Sequence, residues 1–118
     1  ESGIAPVYVM FSEPLDSGVF TRRQLQKKFD SHKEDFGFEG QNATNQTLTE
    51  FRDKILTHLS DPATIEKGTF HSEPNSKVYF NSDSNLVVIV GADGMFISGW
   101  HLEPGTRQYK VYIDTGVL

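Results

Sequence analysis

Apolar positions change their period part-way along this chain. Over the first sixty residues they fall at helical spacing: Leu25 and Phe29 lie four apart behind Thr21, and Leu48, Phe51, Ile55, Leu56 and Leu59 recur behind Thr47. Spacings of three and four place side chains on one face of a helix. Thr21 predicts an N-cap for a helix through Asp30, and Thr47 with Glu50 reads as a T-x-x-E capping box for a second helix that ends near Ser60. Asp61-Pro62 then predicts a turn or a short helical segment up to Gly68. From Thr69 the period becomes two. KVYFN (77–81), LVVIVG (86–91), MFISGW (95–100) and RQYKVYID (107–114) read as strands, separated by NSDSN, Ala92-Asp93-Gly94 and Glu103-Pro104-Gly105 turns. Pro6 to Ser12 reads as a further short strand, and Phe38 to Gln46 as a polar loop.

Helices first and hairpin-linked strands second predict an α+β fold. N-terminal helices pack on one face of a C-terminal antiparallel β-meander of about four to five strands, and the other face is left for a ligand. At 118 residues the chain is expected to form one domain over residues 1–118. No apolar run approaches the length of a membrane span, and with no cysteine there is neither a disulfide framework nor a thiolate nucleophile.

Charge adds the first chemical signal. The net charge is −5, which argues against a general nucleic-acid binder, yet Thr21 to Lys33 holds Arg22, Arg23, Lys27, Lys28 and Lys33 against the single acid Asp30. Within this basic stretch lies His32. An imidazole titrates near neutrality, and neighbouring cations both lower its pKa and attract anions such as a phosphodiester. A solvated helix face has the same charge pattern. In the run 95–100, strict alternation sets Phe96, Ser98 and Trp100 on one face, and Met95, Ile97 and Gly99 on the other. An open face there lets Trp100 stack on an unpaired base while Ser98 bonds a phosphate or ribose oxygen; a core tryptophan with a serine satisfied by backbone is the alternative. No G-x-S-x-G elbow surrounds Ser98. Of the other histidines, His58 falls on the polar side of the second helix as a solvated group. His71 and His101 lack the spacing of a metal site, so no metal is expected.

Several of these segments, in order, resemble the catalytic domain of colicin D and related contact-dependent growth-inhibition toxins. They are KKFDSHKEDFG (27–37), LTEFRDKILTHLSDPATIEKGTF (48–70), SKVYFN (76–81), MFISGW (95–100) and the terminal VYIDTGVL. The resemblance covers roughly Thr21 to Leu118. It implies a ribonuclease architecture similar to the barnase and RelE group, and a metal-independent endoribonuclease without cofactor that cuts the anticodon loop of transfer RNA. The family's histidine, three residues before Asp-Phe-Gly, corresponds to His32, and its F-x-S-G-W pattern to Ser98 and Trp100. Lys27, Lys28 and Lys33 are the candidates for the family's phosphate-gripping lysine, with Lys28 taken as the catalytic cation and Lys27, Lys33 and Lys77 as substrate contacts. At one place the pattern differs: Asp30 and Ser31 stand between Phe29 and His32, where the family places a lysine directly before the histidine.

The resemblance further implies 2′-OH attack on the adjacent phosphorus, giving 2′,3′-cyclic phosphate and 5′-OH ends. It also implies a cognate immunity protein with an acidic face, a domain monomeric apart from that complex, and delivery from outside the cell as the C-terminal part of a larger bacterial toxin. On that reading residues 1–20 follow a delivery region. The residues themselves leave two other readings open, a non-catalytic protein-interaction module and the same fold acting on ribosomal or messenger RNA.

Overall fold

The computed structural model describes residues 15, 16 and 18–118. The strand expected over Pro6 to Ser12 lies outside them. Helix α1, Arg22–His32, starts where the sequence predicts it, with Thr21 Oγ1 accepting from Gln24 N at 3.1 Å. It continues past Asp30 for two further residues and passes through a 3-10 turn, Lys33–Phe36, that ends at Gly37 with φ +89°. This extension puts His32 at the junction of helix and turn. Leu25 and Phe29 bury the inner face of α1.

Helix α2, Asn45–Ser60, begins nearly a turn earlier than its predicted box. Thr44 is the N-cap, and the reciprocal bonds run from Thr47 N to Thr44 Oγ1 at 3.1 Å and from Thr44 N to Thr47 Oγ1 at 2.7 Å. The Thr47 hydroxyl thus occupies the position a glutamate takes in the usual box, and Glu50 instead accepts from Gln46 Nε2 on the helix surface. Leu48, Phe51 and Ile55 are fully buried, whereas Leu56 is 42 % exposed.

Among the described residues the sheet is a four-stranded antiparallel meander in the order β1-β2-β3-β4, comprising Thr64–Glu66, Lys77–Asn81, Leu86–Val90 and Phe96–His101. Strand β1 replaces the turn or helical segment expected after Asp61-Pro62, because Thr64 to Glu66 pair with Asn81 to Tyr79 along the free edge of β2. The fourth predicted strand is likewise corrected. Arg107–Thr115 is helix α3, N-capped by Thr106, whose Oγ1 accepts from Tyr109 N, and closed by Gly116 in the left-handed region at φ +79°.

Each side of the sheet carries a core. Helices α1 and α2 pack Leu25, Phe29, Leu48, Phe51 and Ile55 with Val88 and Phe96 on one side. Helix α3 sets Tyr112 against Val78, Phe80, Val87 and Ile89 on the other. The second face is therefore covered over much of its area, which corrects the expectation that it is left open. Docking of α3 is tight. Tyr112 Oη donates to Lys67 O at 2.6 Å, Thr69 and Val117 form a parallel bridge, and a Cβ built on Gly68 falls 1.8 Å from Gly116 O.

Candidate active site

Strand β4 does not alternate strictly. Ser98 lies opposite Ile89 but Phe96 lies opposite Val90, so Ile97 is the extra residue of a β-bulge. Phe96 packs among the α1/α2 residues, while Ile97 and Trp100 pack on the α3 side with the partners of Ser98. The expected sharing of one face by Phe96, Ser98 and Trp100 is corrected accordingly: the bulge turns Ser98 and Trp100 away from Phe96. Gly99 faces the helices, where a Cβ would stand 3.2 Å from Phe36 Cζ. From α1, the Gln24 side chain donates to the bulged Ile97 carbonyl. The helix that ends in His32 is in this way tied to the strand that carries Ser98.

The two segments meet in a cleft of about 660 Å³ lined by Lys27, Lys28, His32, Ser98 and Trp100. Ser98 is 2 % exposed and forms its floor. The His32 ring lies 5.8 Å from the Trp100 ring with 32° between planes, and Phe70 meets the same indole edge-on at 5.6 Å. Two of the predicted lysines lie elsewhere. Lys33 Nζ donates to Gln41 O at 2.8 Å and sits over the Phe29 ring, and Lys77 lines a separate cavity beside Tyr79 and Gly91.

Burial pushes the His32 imidazole below its usual pKa; Asp35 opposes that shift and Lys28 reinforces it. The ring is therefore held toward its neutral, proton-accepting form. Asp35 Oδ2 stands 4.0 Å from His32 Nδ1 and accepts from His101 N at 3.1 Å, so the carboxylate is fixed to β4 while it faces the imidazole. Lys28 is also lowered, first by burial and then by Lys27, with Glu73 acting against both. A less hydrated ammonium beside an imidazole suits stabilisation of a developing anion.

Several lining residues are absent from the sequence reading of the site: Gln24, Phe70, Glu73 and Gln108, with Asp35 and His71 known there only as part of a motif and as a spare histidine. The Asp-Phe-Gly motif was signal enough to find Asp35; Phe70 and Glu73 come from an irregular loop that carries no periodicity. His58 is corrected from a solvated group to a core one: it is 5 % exposed, and its Nε2–H donates to Tyr79 O at 2.8 Å. His71 and His101 do not meet, since His71 Nδ1 is 2.7 Å from Leu118 O and His101 Nδ1 is 3.2 Å from Glu103 Oε1.

A model of the colicin D family matches residues 24–110, a span that contains both halves of the cleft. This chain belongs to the colicin D family. Colicin-D of Escherichia coli is 48 % identical over 117 residues, which are 99 % of this chain and 17 % of the relative. The chain thus spans about one sixth of that curated relative's length. Among solved structures, a ribonuclease from Escherichia coli complexed with its inhibitor protein superposes with a TM-score of 0.76 at 46 % identity, over 80 % of this chain and all of that one. The α+β architecture, helices on an antiparallel meander, is that of this relative. Among the described residues no helix is long and apolar enough to cross a membrane.

Proposed function

We propose that this chain is the nuclease domain of a bacteriocin-type toxin, a metal-independent endoribonuclease that cuts the anticodon loop of transfer RNA. One observation carries the reading: in a chain of the colicin D family, the His32 ring meets the Trp100 ring and shares one cleft with Lys28 and the buried Ser98. The substrate's own 2′-OH attacks the adjacent phosphorus, so the nucleophile belongs to the RNA and no cofactor takes part. His32 accepts the 2′-OH proton. Lys28 offsets charge building on the phosphorane, with Lys27 at the rim, and Ser98 bonds a non-bridging oxygen. The half-buried Trp100 offers its uncovered indole surface to a flanking base. The products are a 2′,3′-cyclic phosphate and a 5′-OH end.

The relative's structure with an inhibitor protein supports a cognate immunity protein for this chain, one that presents carboxylates to Lys27 and Lys28 where RNA presents phosphates. Delivery to the target cell from outside follows from the chain's membership of the colicin D family. The domain acts as a monomer apart from the immunity complex.

The test is incubation with total RNA in excess chelator. Discrete cuts in transfer RNA are expected, with 5′ ends that a polynucleotide kinase labels directly, and His32→Ala lowers the rate by about 10²- to 10⁴-fold. Intact RNA at every enzyme concentration overturns the reading, and cuts confined to ribosomal or messenger RNA overturn the choice of target.

A further inference from the structure

The transesterification needs two proton transfers, and His32 accounts for one. A second imidazole, His71, lines the same cleft at the end of a continuous row of rings. His32 lies 5.8 Å from Trp100, Trp100 lies 5.6 Å from Phe70, and Phe70 lies 5.3 Å from His71. The loop that carries His71 is exposed, yet it is firmly built. The buried Ser76 hydroxyl accepts from Phe70 N at 3.0 Å and is 3.0 Å from Thr69 Oγ1, and His71 N donates to Leu118 O at 3.1 Å.

The ring is also fixed in its tautomer. Its Nδ1 is 2.7 Å from that same Leu118 oxygen, which only accepts, so Nδ1 carries a proton. Nε2 is left as the exchanging nitrogen, 3.2 Å from the rotatable Ser72 hydroxyl. A main-chain acceptor behind Nδ1–H is the device that orients an imidazole for proton transfer at its other nitrogen. Four charged groups share the cleft with this ring, namely Glu73 from its own loop and Lys27, Lys28 and Asp35 from the α1 side, and Arg107 of α3 flanks it from behind.

We propose that His71, entering as the imidazolium with a proton on both ring nitrogens, is the general acid of the reaction: it gives its Nε2 proton to the departing 5′-oxygen and is left as the neutral Nδ1–H ring, while His32 removes the proton of the attacking 2′-OH. The O2′–P bond forms as the P–O5′ bond breaks. One proton passes to His32 and one leaves His71, so the step balances, and solvent resets both imidazoles. The assignment rests on the ribonuclease reading above.

His71→Asn separates this role from a clamp on Leu118. The Asn side-chain amide keeps a donor for Leu118 O but has no proton to transfer near neutrality. The substrates are an anticodon stem-loop, and the same RNA with a 5′-bridging sulfur at the expected cut, a leaving group that needs no acid. His71→Asn is expected to slow the natural substrate by about 10²-fold or more, and to flatten the alkaline limb of its pH-rate profile. It leaves the sulfur-bridged substrate within a few-fold of wild type. Equal losses on both substrates, or none on either, overturn the assignment while the ribonuclease reading stands. A wild type that cuts neither overturns that reading and this role with it.

Discussion

At the scale of single residues, the cleft works by setting opposed electrostatic influences on one imidazole. Burial and Lys28 lower the pKa of His32 and Asp35 raises it, so each neighbour has a signed, separable effect. Lys28→Met is expected to raise the His32 pKa and shift the ascending limb of activity to higher pH. Asp35→Asn keeps an acceptor for His101 N and is expected to move that limb to lower pH. NMR titration of the His32 ring protons checks both, and shifts of the same sign in the two variants would defeat this account. Trp100→Ala is expected to raise KM by the loss of about 1–3 kcal/mol of base stacking, much of which Trp100→Phe restores. Competition binding with an uncleavable 2′-deoxy stem-loop measures the difference.

Among the elements, the docking of α3 has the least tolerance. Gly68 adopts φ +77°, and its Cα faces the Gly116 carbonyl with no room for a methyl group. Gly68→Ala pays for a left-handed alanine, on the order of 1–3 kcal/mol, and adds a steric clash with backbone. Urea unfolding is expected to report a loss at the upper end of that range, and a midpoint within error of wild type refutes it. The same helix shows where sequence reading stops. In RQYKVYID the alternation of Tyr109, Val111 and Ile113 mimics a strand, yet Val111 and Ile113 are 39 % and 38 % exposed and the fully buried residue is Tyr112. The helix is capped by Thr106 and Gly116, while the β-branched and aromatic content of the run favours a strand. Strands β2 to β4 were legible because their pattern coincides with real burial on a pleated sheet. Strand β1 was not, since Ile65 is 52 % exposed and its pairing with β2 is an edge contact that leaves no apolar signature. The bulge at Ile97 was likewise invisible, because an extra residue in a strand alters facing without altering composition.

For the molecule as a whole, the two half-buried to buried histidines couple folding to pH. Both His32 and His58 are lowered by burial from the usual 6.5, so below that value the unfolded chain binds more protons than the folded one. Stability is therefore complete above 6.5 and is lost as pH falls from there through the lowered folded values. Urea midpoints at pH 7.5 and 5.5 are expected to differ in that direction, and His58→Gln, which keeps a donor for Tyr79 O, is expected to reduce the difference. An unchanged difference in His58→Gln would count against a burial penalty at that site. The sequence alone determined the fold class and the helices that begin behind Thr21 and Thr44, and it singled out His32, Ser98 and Trp100 as candidates that the fold brings into one cleft, because caps, periodicity and ordered motifs are written in neighbours a few positions apart. Tertiary structure decided the rest: that α3 closes the second face, that Lys27 and Lys28 share the cleft while Lys33 and Lys77 do not, and that Asp35 is pinned to a strand 66 positions away. It also brought His71 into the cleft that holds His32. Such placements depend on how cores on both faces of a twisted sheet close upon each other, and no local spacing encodes that closure.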